Sequence, residues 1–170
     1  PVAEKIIRMY QGADSFINGG LRYCLWIDDK NVNLAYSIPP IKERLEKVKA
    51  FRLASKAEST RLYANRPYLF KQRAHIDTDS IIVPSVSSEK RRYLPVGMLD
   101  ENSIISNASQ AIYHADMFVL GLLCTHIHVV WLSAIGGKLE TRYRYSVLVY
   151  NSFPFPSISD TKKSEIEEAA

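Results

Sequence analysis

The sequence predicts an α+β fold: a small mixed sheet with two main helices. Three observations lead there. Short runs rich in β-branched and aromatic residues recur between turn signals. Two longer runs, 41–55 and 116–135, carry helical or all-round apolar patterning. Strands and helices do not alternate in strict βαβ order, which argues against a parallel α/β sheet.

Taken in order, "EKIIRMY" is a short apolar opener and "GADSFINGG" a turn before "LRYCLWI", which reads as a strand. "DDKN" turns out of it. Ser37 with Pro39 and Pro40 suits a helix start. From there Ile41, Leu45, Val48, Phe51 and Leu53 follow helical spacing to about Ser55, with charges between. Residues 56–80 are polar and broken by Pro67, so irregular chain with short extended pieces such as "YLFK" is expected. "SIIVPSV" reads as a strand ended by Pro84, and "SIISNASQAIYH" as one or two more. The run from Asp116 to Gly136-Gly137 is apolar almost all round and reads as one helix buried on most sides. Ser146–Tyr150 reads as a strand before a proline-punctuated exit. No internal repeat is present.

With 170 residues, 46% apolar and 24% charged, the chain can bury a core, and one globular body is expected. The net charge of +4 is modest, so the argument for an anionic partner lies in where charges sit. From Lys42 to Arg73 there are ten Lys and Arg against three Glu, more than the whole chain's excess. From Ser157 to Ala170 the balance is negative. The two cysteines, Cys24 and Cys124, lie in apolar runs and read as buried thiols of a reducing, cytoplasmic compartment. No run approaches the roughly 20 apolar residues of a membrane span, and no membrane partner is expected. The chain opens at Pro1 and stops inside "KKSEIEEAA", so a segment of a longer protein is expected.

Catalytic signatures are missing: no Gly-rich phosphate loop, no G-x-S-x-G and no H-E-x-x-H. "SIPPI" superficially resembles the Asn-Pro-Pro-aromatic motif of amino-group methyltransferases, yet lacks both the amide and the aromatic. A helix start explains it better. "CTHIH" would put Cys124 and His128 on one helix face, half a zinc site without its other half. A core thiol and a core histidine are preferred.

The informative stretch is "PSVSSEKRRYLPVG", 84–97: Ser87, Ser88, Glu89, Lys90, Arg91, Arg92 and Tyr93 between prolines. Three adjacent cations cannot all be desolvated, so this is a solvated turn or a surface that meets an anion. Lys71, Arg73, Lys90, Arg91 and Arg92, with Arg142 and Arg144 later, are interleaved with Tyr68, Tyr93, Tyr143 and Tyr145. That pattern suits phosphate contact with base readout. Glu89 would repel a phosphate but can accept from the exocyclic amine of cytosine, while Arg and Lys donate to guanine. The alternative for Glu89 is a surface ion pair with Lys90 or Arg92.

The blocks "GADSFINGGLRYCLWI", "VPSVSSEKRRYLPVG", "LGLLCTHIHVVWL…GGKLETRYRYS" and "YNSFPFP" together resemble the target recognition domain of MmeI-type restriction–modification enzymes, over about Gly12 to Pro156. The resemblance implies a fold similar to the recognition domains of type I specificity subunits. It implies residues 1–156 as a DNA target recognition domain, with 157–170 beginning a C-terminal helical spacer. Double-stranded DNA and the methyltransferase domain of the same parent chain would be the partners. This segment would hold no catalytic residue and no cofactor; the parent would use AdoMet as an adenine methyltransferase, and Mg2+ if it also cleaves. Ser87, Ser88, Glu89, Arg91 and Arg92 fall in the family's loop near DNA. Lys71, Arg73 and Lys90 would add phosphate or guanine contacts, with Tyr93 beside them; Arg142, Arg144 and Tyr145 would join the same face, the alternative being that their segment packs into the core. His128 and Trp131 would be structural, and Asn151 and Phe153 would position the chain. The rival of another class is a docking module that touches no bases.

Overall fold

The computed structural model describes residues 2–170. After a 3-10 turn at Val2–Ile6 the elements are β1 (Ile7–Gln11), α1 (Ala13–Asn18), β2 (Tyr23–Leu25), α2 (Val32–Ser37), α3 (Pro39–Leu53) and α4 (Glu58–Leu62). Then come β3 (Ser80–Pro84), β4 (Val86–Ser87), β5 (Gly97–Leu99), β6 (Ser103–Ile105) and β7 (Ser109–Tyr113). The chain closes with α5 (Met117–Leu123), α6 (His126–Ile135), β8 (Gly137–Leu139), β9 (Arg142–Arg144), α7 (Val147–Asn151) and α8 (Asp160–Ala169). The α+β class holds, with several short sheets where one was expected. Instead of one body there are two compact units: one of residues up to Met9 with Tyr23–His75, the other of Tyr10–Arg22 with Ile76–Ala170.

The first unit pairs β1 with β2 antiparallel, Arg8 opposite Cys24, and buries Ile6, Ile27, Ala35, Ile41 and Leu45. Pro39 and Pro40 sit in the first turn of α3, where a missing N–H breaks no helical bond. Ile41, Leu45 and Val48 face inward as their spacing predicts. Phe51 and Leu53, read as part of that face, are 77% and 55% exposed. Between them Arg52 turns in, donating from Nη1 to the carbonyls of Tyr63 (3.0 Å) and Arg66 (2.8 Å) and from Nη2 to Leu69 (2.7 Å). This fork replaces the strand partner that "YLFK" would need, so residues 66–70 stay irregular. Cys24 lines an apolar cleft of about 410 Å³ with Leu45, Val48, Tyr68 and Phe70. Burial there pushes its thiol up to about 11.

The second unit is centred on β3, whose five residues are all buried. It pairs with β5 (Ile81 opposite Met98) and with β7 (Ile82 opposite Ala111). Ile81, Val83, Leu123, Leu132 and Val149 form the core with Leu120 and Val129. The expected single helix from Asp116 is two, bent by 64° between Leu123 and His126. Each half has its own N-cap: Asp116 accepts from the Val119 N–H at 3.0 Å, and Thr125 from the His128 N–H at 3.3 Å. The Thr125 hydroxyl also donates to the Leu122 carbonyl at 2.7 Å, which closes the first half. The bend leaves Cys124 exposed, not buried, and takes it off the histidine face. Among the described residues no group of three His, Cys, Asp or Glu could hold a metal.

Ser146–Tyr150 is not a strand: Val147–Asn151 form α7. The β-branched residues that favoured a strand are overridden because Trp131 Nε1 donates to the Val149 carbonyl (3.2 Å) and Val149 enters the core. The tail helix α8 packs on α5. Lys163 Nζ donates to the Asp116 carboxylate at 2.9 Å, and a Cβ on Gly121 would lie 2.7 Å from Ile166 Cγ2. Among the described residues no single helix is long and apolar enough to cross a membrane.

Candidate nucleic-acid interface

Two segments about fifty residues apart meet in the second unit. β4 pairs antiparallel with β9 (Val86 opposite Arg144, Ser87 opposite Tyr143), and β9 pairs with β8 (Lys138 opposite Tyr143, Leu139 opposite Arg142). The "EKRRY" turn leaves directly from β4, so this three-stranded ribbon brings Arg142 and Arg144 beside the loop of Glu89 to Tyr93.

Alternation along β9 sorts the side chains. Arg142 and Arg144 are exposed, Tyr143 packs on the core, and Tyr145 is 2% exposed. Residues directly opposite in an antiparallel pair share a face, so Ser87 goes with Tyr143. Its hydroxyl is buried without a hydrogen-bond partner. Two expected contact residues are therefore placed inside. Ser87 lies on the tyrosine face of the ribbon, and Tyr145 is a core residue whose hydroxyl meets His128 Nε2 at 2.9 Å. Burial holds the Tyr145 phenol far above its ordinary range, so it stays protonated.

The loop itself is a solvated turn. Ser88 organises it: its Oγ accepts from the Lys90 N–H at 3.2 Å and its carbonyl from the Arg91 N–H at 3.2 Å. Glu89, Lys90, Arg91, Arg92 and Tyr93 are exposed, and Arg92 lies over the Tyr93 ring at 5.3 Å. Among the described residues Glu89 makes no ion pair, neither with Lys90 nor with Arg92. An unpaired carboxylate among three cations keeps its acceptor capacity for a ligand.

At the hairpin tip Glu140 stands in the left-handed region with φ 58, where glycine is the usual choice. Its Oε2 accepts from Arg142 Nη2 at 3.3 Å. Sequence reasoning passed over Glu140; the signal was the carboxylate two residues before the first arginine of "RYRY". It also passed over Ser85, which ties three segments together. Its N–H donates to the Ala108 carbonyl (3.1 Å), its carbonyl accepts from the Tyr145 N–H (2.8 Å), and its Oγ accepts from Gln110 Nε2 (3.1 Å).

Lys71 and Arg73 belong to the first unit. Lys71 Nζ donates to Ser59 Oγ at 2.9 Å. The Arg73 guanidinium lies 4.3 Å over the Trp26 ring and donates to the Ile27 carbonyl at 2.6 Å. That geometry makes Arg73 a brace for its own unit. Replacing it by Ala is expected to lower stability by about 1–2 kcal/mol, read as a shifted denaturation midpoint; an unchanged midpoint would mean that the brace carries nothing.

His128, fully buried, stacks edge-on against Phe153 at 4.4 Å, and Trp131 meets the same ring at 6.2 Å. The "YNSFPFP" block thus closes over the histidine.

A family model for the MmeI target recognition domain matches residues 1–157. The chain is 42% identical over 170 residues to DNA methyltransferase A of Bacillus subtilis (strain 168), covering 99% of this chain and 19% of that protein. The solved structure of the type IIL restriction–modification enzyme MmeI in complex with DNA matches with a TM-score of 0.90 at 41% identity, over 99% of this chain and 23% of that one. The chain thus spans about a fifth of the curated relative's length. These matches place the fold among the target recognition domains of restriction–modification enzymes. The chain belongs to the MmeI target recognition domain family.

Proposed function

We propose that the chain reads a double-stranded DNA sequence for a parent enzyme that methylates adenine, with the β4-β9-β8 ribbon and the 88–93 loop as its reading face. One observation carries this: the β4–β9 register sets Arg142 and Arg144 beside the loop of Glu89, Lys90, Arg91 and Arg92. Within that sheet the β8–β9 hairpin is a two-stranded ribbon, a size the major groove admits, and there arginine donates to guanine and a carboxylate accepts from cytosine. Glu89, Arg91, Glu140 and Arg142 are the base readers on this reading. Lys90, Arg92, Tyr93 and Arg144 flank them against phosphate and sugar. Ser88 shapes the loop, and Ser87 and Tyr145 hold the ribbon from behind.

In the parent, AdoMet would supply the methyl group, and Mg2+ would serve cleavage if the enzyme cuts. The methyltransferase domain of that chain is the partner in cis, and the bacterial cytoplasm the place of action. Residues 1–156 form the recognition domain on this reading, and α8 opens the segment that follows. A docking role has its own support in the outward face of α6, where Ile127 and Val130 are 70% and 52% exposed.

The test is a map of protected adenines on random DNA, made with the full-length protein. Arg142→Ala is expected to weaken the preferred site by about 1–3 kcal/mol and to relax one base position only. Glu89→Lys should change the base accepted at one position. If both variants keep the wild-type motif and activity, the reading face lies elsewhere.

A further inference from the structure

The two units differ in sign. The first holds thirteen Lys and Arg against six Asp and Glu, the second nine against twelve. Six of the second unit's nine cations (Lys90, Arg91, Arg92, Lys138, Arg142 and Arg144) lie on the reading loop and hairpin, and the rest of that unit is acidic. The first unit's surplus must be sorted before it means anything. Arg52, Arg61 and Arg73 donate to backbone carbonyls of their own unit, so they are internal fittings. Lys47 pairs with Glu43 at 2.6 Å, and Lys71 with Ser59.

What remains on α3 and just past it is Lys42, Arg44, Lys49 and Lys56, all exposed; among the described residues no side-chain hydrogen bond or ion pair holds them. Lys42 and Lys49 are seven residues apart, two turns on one flank of the helix. That is about 10 Å along the axis, the length taken by about three phosphates of one DNA strand. The inward face of α3 is already filled by Ile41, Leu45, Val48 and Arg52, so this flank has no packing role.

We infer that the first unit is a sequence-blind anchor for the DNA backbone, with Lys42, Lys49 and Lys56 neutralising phosphates while the second unit reads bases. The inference rests on the reading of the second unit given above. An excess of seven positive charges confined to the unit without the reading face separates affinity from sequence choice. A cation here adds binding to every sequence alike, because phosphates carry no base identity.

The experiment uses the full-length protein and duplexes of mixed sequence, with binding measured from low to moderate NaCl. Wild type is compared with the Lys42→Gln/Lys49→Gln/Lys56→Gln variant and with Arg142→Ala, and thermal denaturation confirms that each is folded. The triple variant should flatten the plot of log K against log salt by about 0.9 per lost contact, about 2.7 in all, with an unchanged protected motif. Parallel plots for wild type and triple variant would overturn the anchor and leave this flank to solvent or to an acidic protein. A changed motif in the triple variant would overturn it too, because the anchor would then be reading sequence. If Arg142→Ala leaves the motif intact while the triple variant still flattens the plot, the base-reading assignment fails and the anchor stands.

Discussion

Taking the protein from pH 7 to pH 4 should destabilise the second unit by about 3 kcal/mol through one residue, His128. Its ring is fully buried between Tyr145 and Phe153, and burial lowers its pKa to about 4. In the unfolded chain the same ring titrates near 6.5. Above that pH it is neutral in both states and contributes nothing to the pH dependence. Between about 6.5 and 4 only the unfolded chain takes the proton, so stability falls by about 1.4 kcal/mol per pH unit. Below about 4 both states are protonated and the slope ends. The Asp116 carboxyl, held below its ordinary range first by the hydrogen bond from Lys163, gives up its contribution only at still lower pH. Urea unfolding at pH 7, 5.5 and 4.5 measures the effect. Replacing both partners by apolar rings, His128→Phe with Tyr145→Phe, avoids leaving a buried hydroxyl unpaired and should flatten this window. An equally steep profile in the double variant would clear His128 of the role.

The second large effect is expected at the joint between α6 and the hairpin. A Cβ on Gly136 would run into the Leu132 carbonyl oxygen and lie 2.5 Å from Leu132 Cδ1. One of these is backbone and the other belongs to a core residue 1% exposed, so neither can give way cheaply. Gly136→Ala should destabilise by about 3 kcal/mol, and because β8 starts at the next residue it should, on the proposed reading, disturb DNA recognition as well. Gly137 is the control: a Cβ there would meet nothing within 4 Å, and its φ is not positive. Gly137→Ala should fall within about 0.5 kcal/mol of wild type. The pair separates steric exclusion from any general need for glycine at this turn, and equal melting temperatures for the two variants would defeat the explanation.

How far the sequence could be read depended on whether a local pattern met a tertiary competitor. The buried strand at "SIIVP" was legible because a continuous β-branched run before a proline has few other uses. The helix at "PPIKERLEKV" was legible from its prolines and inward spacing. The 116–135 run misled because apolar periodicity does not register a break. The break comes from Thr125, which bonds forward to His128 and back to Leu122. Ser146–Tyr150 misled because strand propensity was weighed without Trp131, whose indole fixes a helical turn there. In the candidate site, the loop and "RYRY" were visible as charge and aromatic patterns. Their pairing was not, since a two-residue strand such as β4 leaves no periodicity to detect. The burial of Ser87 follows only from that pairing.

The β9 strand carries a further consequence. Tyr143, and Tyr145 just past the strand, are gripped by the interior, while Arg142 and Arg144 stand outside it, Arg142 paired with the exposed Glu140 at the tip. Substitution can therefore rewrite the outward positions one at a time, together with Glu140 at the tip, and leave the scaffold untouched. Insertion or deletion of a single residue between Arg142 and Tyr145 would do the opposite, exchanging the two sets and driving charge inward. On the proposed reading, this ribbon should evolve by replacement and resist changes in length, so that its target could change while the scaffold stays folded.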